Sequence, residues 1–176
     1  MIRIFDFLFS LIGLIFLFPL LILIFLIGLF DNGSSLFIQK RVGYNLKSFS
    51  LIKFRTMPVG MRSAGTHLIK NIKFSSFGYF LRRTKIDEIP QLFNVLIGDM
   101  SLVGPRPCLF NQRKLINERK KRGVFKVRPG ITGLAQISDI NMKTPTLLAK
   151  TDQKMIKKMS LYNYFYYIFK TIFKII

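Results

Sequence analysis

Acidic side chains are what this chain has least of. Eight Asp and Glu stand against twenty-eight Lys and Arg in 176 residues, a formal net charge of +20. A surplus of that size excludes the near-neutral surface of an ordinary soluble enzyme and calls for polyanions: nucleic acid, anionic lipid head groups or phosphorylated substrates. A single cysteine, Cys108, excludes an internal disulfide and a cysteine metal cluster, and suits a reducing compartment. A single histidine, His67, has no acid near it in sequence, so neither a histidine metal site nor a histidine general base is expected. Trp is absent and no nucleic-acid-binding module can be read, which weighs against a membrane-anchored nucleic-acid binder. There is no internal repeat, low-complexity linker or second domain, and the length fits one domain.

What is present starts with an apolar run. Phe7 to Phe30 is 24 residues without a charge, bracketed by Asp6 and Asp31. As a helix it would reach about 36 Å, enough to cross a hydrocarbon core of about 30 Å. The run is too long for a signal peptide, and no small-residue cleavage site follows it. Pro19 lies near its middle, where it removes a backbone hydrogen bond and kinks the helix. The expectation is an anchor over residues 1–31 that breaks at Pro19 and re-enters the same leaflet. A straight spanning helix is the alternative, and the flanking charges (Arg3 against Lys40 and Arg41) favour neither strongly.

Residues 32–176 are expected to form a compact, mostly helical α+β domain. Asp31-Asn32-Gly33-Ser34-Ser35 is turn chemistry. Residues 36–42 and 49–55 read as strands of a hairpin around Gly43-Tyr44-Asn45. Lys53 and Arg55 are two apart and share a strand face, for phosphate contacts or as a solvated edge. Residues 57–71 read as a mobile loop near the site. Residues 109–122 read as a basic helix with Glu118 its single acid, suited to solvent or to an anionic bilayer. Residues 146–160 read as a polar helix. The tail from Tyr162 to Ile176 is aromatic, basic and free of acids. It is too short to span and suits a helix in the membrane interface, with core packing the alternative.

The most informative stretch is Leu81 to Pro107. Residues 32–86 carry eleven basic side chains and no acid, and then Asp87 and Glu88 arrive together. Leu92, Phe93, Val95, Leu96 and Ile97 follow with helical spacing up to Gly98, a helix C-cap, and Pro90 fits only the first turn. The carboxylates therefore sit at or just before a helix N-terminus, where the macrodipole favours their ionised form. Ionised carboxylates among arginines can hold a hard cation or attack phosphorus. They can equally cap the helix and pair with Arg82 and Arg83. Downstream, Gly104-Pro105-Arg106-Pro107 restricts the backbone around Arg106, either to present a guanidinium to phosphate or as a stiff connector. Arg128, before Pro129, is restricted in the same way.

Arg82-x-x-x-x-Asp87-Glu88-x-Pro90-Gln91-Leu92-x-Asn94-Val95-Leu96-x-Gly98-Asp99-Met100-Ser101-Leu102-Val103-Gly104-Pro105-Arg106-Pro107 resembles the central block of the bacterial sugar transferases, the monotopic phosphoglycosyl transferases. Lys53-Phe54-Arg55-Thr56-Met57 and Arg128-Pro129-Gly130-Ile131-Thr132-Gly133-Leu134-Ala135-Gln136 match further blocks in the same order. The resemblance implies transfer of a phospho-sugar from a UDP-sugar to a polyprenol phosphate with release of UMP, on the cytoplasmic face of the bacterial inner membrane. It implies Asp87 as nucleophile, Glu88 as metal ligand or proton handler, and Mg²⁺ (or Mn²⁺) held by both. Lys53, Arg55, Arg82, Arg106 and Arg128 would offset phosphate charge. It also implies the re-entrant anchor, although the family commonly has Ser before the proline and Phe18 stands there. The family's Gly-Arg-Asn continuation is replaced by Ser138-Asp139-Ile140-Asn141, so no arginine is carried over there. Asp152, at an acidic position of the family, is expected to pair with Lys53 or to be a surface acid. Implied partners are the UDP-sugar, the polyprenol phosphate and the anionic bilayer, with room for a homodimer and none for nucleic acid. A non-catalytic membrane scaffold would explain anchor and tail but not the Asp-Glu pair.

Overall fold

The computed structural model describes residues 1–60 and 74–175. The expected loop at 57–71 and His67 therefore fall mostly outside the described residues. With short 3₁₀ turns between some of them, eleven α-helices and β-strands follow one another among the described residues. They are α1 (Ile2–Asn32), β1 (Leu36–Val42), β2 (Ser48–Phe54), α2 (Ser76–Arg83), α3 (Gln91–Ile97), β3 (Ser101–Val103), α4 (Arg113–Lys121), β4 (Gly130–Thr132), α5 (Leu134–Ile137), α6 (Pro145–Lys157) and α7 (Leu161–Ile175). The mostly helical α+β reading holds, and the hairpin lies within a residue of its expected bounds.

α1 is a single helix of 31 residues, about 46 Å long. It ends at Gly33, whose φ of 68° lets its N–H return to Leu29 O. Pro19 lies inside it, and the expected break is not seen. One proline deletes a single hydrogen bond of the ladder, and the apolar turns on either side keep theirs. The helix lies against the rest of the chain from its first turn to its last. Arg3 donates to Leu96 O and Met100 O at 3.2 Å each, Gly13 faces Leu92, Ile24 packs with Phe54 and Leu81, and Gly28 abuts Ser35. Its other face leaves residues such as Phe16 and Phe30 open, a contiguous apolar surface that suits lipid rather than water.

Near the start of α1, Asp6 is fully buried and joins three elements. Its Oδ1 accepts from the Ser101 hydroxyl at 3.0 Å, the Leu102 N–H at 2.9 Å and the Tyr164 hydroxyl at 2.9 Å, and Arg3 lies 3.8 Å from Oδ2. Burial, reinforced by the Asp6 carboxylate, pushes the Tyr164 phenol well above its usual range, so it remains a donor. Phe5 and Phe9 pack edge-on against Phe165 beside this cluster. The aromatic tail thus forms α7 as expected. One side of it enters the core through Tyr164 and Tyr167, and the other exposes Tyr162, Phe169 and Phe173. Core packing, the alternative reading of the tail, is realised on one face, and the opposite face leaves aromatic side chains open.

The hairpin pairs β1 with β2 antiparallel, Phe37 opposite Lys53 and Arg41 opposite Phe49. Asn94, wholly buried in α3, accepts from Ile52 N–H at 3.0 Å and donates to Ser50 O at 2.8 Å, which fastens α3 to β2. β3 and β4 form a parallel pair, Ser101 opposite Gly130 and Val103 opposite Thr132. Beyond it Gly104 and Gly130 cross so closely that a Cβ on Gly130 would fall 2.0 Å from Gly104 N. α4 is the expected basic helix, though Arg119 points inward. Asp152 does not pair with Lys53 and is not a surface acid: it is buried and meets Arg119 at 2.8 Å. α6 presents Asp152 on the same face as Leu148, Ala149 and Met155, and that face packs on α4.

Asp6→Ala should strand three donors, at roughly 1–3 kcal/mol for each buried group left unpaired. Tyr164→Phe removes one hydrogen bond and should cost only about 1 kcal/mol. Denaturation in detergent checks the ranking, and equal losses for the two variants would remove Asp6 as the joint.

Candidate active site

The Asp-Glu pair is presented by a sharp reversal after α2. The Thr84 hydroxyl donates to Phe80 O at 2.8 Å at the end of that helix, and Lys85 then takes a left-handed φ of 60°. Ile86–Glu88 forms one 3₁₀ turn, closed by Ile89 N–H to Ile86 O, and Pro90 sits at the N-cap of α3, just ahead of its first residue. Ile86 packs on the cluster of Ile24, Phe54 and Leu81, which turns Asp87 inward. The carboxylates precede α3, as expected.

Their electrostatics differ from expectation and from each other. Asp87 is not held ionised by the helix end. Burial and then the neighbouring Glu88 push its carboxyl up to about 6, only partly offset by Lys53, Arg82 and Lys85. Burial acts on Glu88 in the same direction, but Arg106 forms an ion pair and hydrogen bond with it and the net effect is downward. The two carboxylates are thus pushed apart, one toward a basic, reactive form and one toward permanent ionisation. Lys53 is lowered by burial, with Asp87 and Glu88 acting the other way.

Asp87 and Glu88 line a cavity of about 800 Å³. Lys53, Arg82 and Arg106 line it too, joined by Arg41, Arg83 and Lys85. Leu92, Leu102, Ile131, Ile137, Ile168 and Ile172 supply apolar lining from α3, β3, β4, α5 and α7. Arg55 and Arg128 are not among the described residues of this lining. Arg55 donates to Leu36 O and lies 5.5 Å from the Phe37 ring. Arg128 donates to Gly98 O at 2.7 Å and lies 5.6 Å from the Tyr44 ring. Arg55 does share a face with Lys53, since both lie over Phe37, but it sits at the strand end where the backbone claims it.

Arg41 is a buried cation of the cavity that sequence reasoning did not place there. Its Nη1 donates to Pro107 O and its Nη2 to Gln39 Oε1, while its buried Nε has no partner among the described residues. Burial, and then repulsion from Arg106, lower it to about 10. A desolvated guanidinium beside other cations favours an anion at this place. Strand alternation could have found it. Arg41 shares the hairpin face of Gln39 and Phe37, and Phe37 pairs with Lys53.

A family described as bacterial sugar transferase matches residues 1–176. The sugar transferase EpsL of Bacillus subtilis, itself uncharacterized, is 46% identical over 110 residues, covering 62% of this chain and 54% of that protein. The undecaprenyl-phosphate glucose phosphotransferase of Komagataeibacter xylinus is 43% identical over 145 residues, covering 77% of this chain and 27% of that protein. The exopolysaccharide production protein ExoY of Rhizobium meliloti is 33% identical over 190 aligned positions, covering 97% and 83%. The chain thus spans about a quarter to a half of several larger relatives, and most of ExoY. With the match running over every element that builds the Asp87–Glu88 cavity, this chain belongs to the bacterial sugar transferase family.

Proposed function

We propose that this chain transfers a phospho-sugar from a UDP-sugar to a polyprenol phosphate, releasing UMP and leaving a polyprenyl-diphosphate-sugar, the first membrane step of a surface glycan. The observation that carries the reading is the cavity. A buried carboxylate shifted to about 6 lies among cations, and the remaining lining is largely apolar. A diphosphate and a lipid phosphate repel each other, so bringing them together needs cationic surroundings; a prenyl chain needs apolar ones. The phosphotransferase named for undecaprenyl phosphate and glucose supports the same class of chemistry.

In this reading an Asp87 carboxylate oxygen attacks the sugar-proximal phosphorus of the donor. The bond from that phosphorus to the bridging oxygen breaks, and UMP leaves with the electron pair. An oxygen of the polyprenol phosphate then attacks the same phosphorus, and Asp87 departs as a carboxylate. Burial makes Asp87 more basic and so more nucleophilic, yet leaves it mostly ionised at neutral pH. Glu88, tied to Arg106 and held ionised by it, orients that guanidinium on the phosphates. Lys53, Arg82, Arg106 and Arg41 offset the charge that collects on the phosphates. Arg55 and Arg128, engaged with backbone carbonyls, serve the fold instead.

The pair also fits a hard cation. Mg²⁺ is commonly bound by one or two carboxylates with substrate phosphates completing its shell. Asp87 and Glu88, adjacent in the cavity, supply two carboxylates of that kind. Asp87 and Glu88 would hold Mg²⁺ or Mn²⁺, which would neutralise charge on the diphosphate.

We place the cavity at the cytoplasmic face of the inner membrane, with both ends of α1 on that side. α1 meets the domain along its length, at Arg3, Gly13 and Ile24, which supports a helix lying along the membrane face over one crossing it.

Glu88→Gln, incubated with UDP-sugar and no lipid acceptor, should accumulate a phospho-sugar adduct on the peptide containing Asp87, read by intact mass and fragmentation. Wild-type turnover should slow as pH falls through about 6, because protonation of Asp87 removes the attacking charge. Adduct formation in Glu88→Gln should persist to lower pH, because the neighbouring negative charge that raises Asp87 is gone, and Asp87→Asn should show neither adduct nor turnover. An adduct on another residue, or turnover by Asp87→Asn, would overturn the assignment.

Chelation by EDTA should abolish UMP release and added Mg²⁺ or Mn²⁺ should restore it; undiminished turnover in chelator removes the metal from the reaction.

Ile4→Cys should resist a membrane-impermeant thiol reagent applied to intact cells, against a low background from buried Cys108. Labelling there from outside would show a spanning α1.

A further inference from the structure

Arg106 is held toward Glu88 by backbone with almost no freedom of its own. Pro105 and Pro107 fix φ on both sides and contribute no N–H. Four consecutive carbonyls are each taken by a donor from elsewhere. Gly130 N–H reaches Pro105 O at 3.0 Å, Arg119 Nη1 reaches Arg106 O at 2.8 Å, Arg41 Nη1 reaches Pro107 O at 3.2 Å, and Val42 N–H reaches Cys108 O at 3.0 Å. Two of these donors are backbone amides, and Arg41 also lines the cavity. Arg119 is different. Its side chain is 2% exposed, it is not among the described residues lining the cavity, and it binds the carbonyl of the residue whose guanidinium engages Glu88.

Asp152 orients Arg119. Its Oδ2 accepts from Arg119 Nε at 2.9 Å and lies 2.8 Å from Nη2, which fixes the plane of the guanidinium and aims Nη1 at Arg106 O. The pair is embedded beside apolar Val42, Cys108, Leu115, Leu148 and Ala149. An ion pair in such a core is often no more stabilising than well-packed apolar residues of the same volume. Stability alone therefore gives a weak reason for this pair, whereas the third contact, to Arg106, gives a specific one.

We infer that Arg119 and Asp152 are positioning residues for the transfer reaction: together they hold the Arg106 backbone so that its guanidinium meets Glu88, acting through Arg106 and not on the substrate. The inference rests on the proposed phosphoglycosyl transfer for its kinetic readout, and on the contacts alone for its spectroscopic one.

Removing one partner strands a buried charge, so the informative variant replaces both: Arg119→Met with Asp152→Leu, and Arg119→Gln with Asp152→Asn as a second polar version in case the first fails to fold. The full chain in lipid nanodiscs should keep its melting temperature while kcat for UMP release falls about 10–100-fold with little change in donor KM, the scale of a small misplacement at a reacting centre. Added to Arg106→Ala, the same paired substitutions should cause no further loss, because nothing remains to be positioned. An equal loss in both backgrounds, or wild-type kcat in a folded paired variant, overturns the inference. Without substrate, ¹⁵N-guanidino NMR should show the Arg106 signals protected from water exchange in the wild type and unprotected in the paired variants; unchanged protection likewise overturns it. A wild-type chain that releases no UMP from any donor would sink the transferase reading, and the NMR comparison would still decide this one.

Discussion

The closest constraint in the molecule is the crossing of two backbones at Gly104 and Gly130. Any side chain on Gly130 would overlap the Gly104 amide, so these segments meet only because both residues lack a Cβ. Much of the site follows from that contact. It lets β3 and β4 pair in parallel, it brings Gly130 N–H to Pro105 O, and it sets the direction in which residues 105–108 leave. Arg106 is thereby delivered to Glu88, and Arg128 is brought to Gly98 at the end of the helix that follows the Asp-Glu pair.

A second constraint ties this centre to the apolar helix. Asp6 is a carboxylate at the edge of a 24-residue apolar run, and its buried oxygen gathers donors from β3 and α7. An unpaired buried charge is costly, so these elements cannot separate cheaply. The apolar face of α1 and the aromatic face of α7 are therefore held as one unit, fixed to the strand that runs into Gly104. Ser35, Gly28 and Ile24 do the same at the other end of α1. A helix attached along its length keeps the cavity at a set distance from its apolar surface, an arrangement that suits the proposed transfer to a lipid phosphate.

The electrostatics of the site turn on the same scarcity of acids that marks the whole chain. In a cavity lined by eight cations, the adjacent carboxylates of Asp87 and Glu88 would be expected to have depressed pKa values. Only Glu88 does, because Arg106 touches it directly. Asp87 is dominated by loss of water and by its acidic neighbour, and the surrounding cations do not reach it closely enough to reverse that. Contact and burial decide the outcome, and net charge does not.

Several features were legible in the residues because they are local. The apolar run, the hairpin, the placement of Asp87 and Glu88 ahead of α3, the Gly98 cap and the restricted backbone at Arg106 each depend on a few neighbouring side chains and their φ preferences. The blocks that mark the family could be read as well, since they are contiguous. What tertiary structure decided involves partners far apart along the chain. Asp152 meets Arg119, 33 positions away, instead of Lys53; Asp6 reaches across to Tyr164; Arg41 enters the cavity while Arg55 and Arg128 are claimed by carbonyls. Asp87 rises where a helix end alone would have lowered it, because burial is a property of the packed chain. Residue types and short-range spacing determined which elements form and which groups can do chemistry. Only the packing of those elements determined which charges lose water and which find partners, because desolvation and long-range pairing do not exist until the chain has closed on itself.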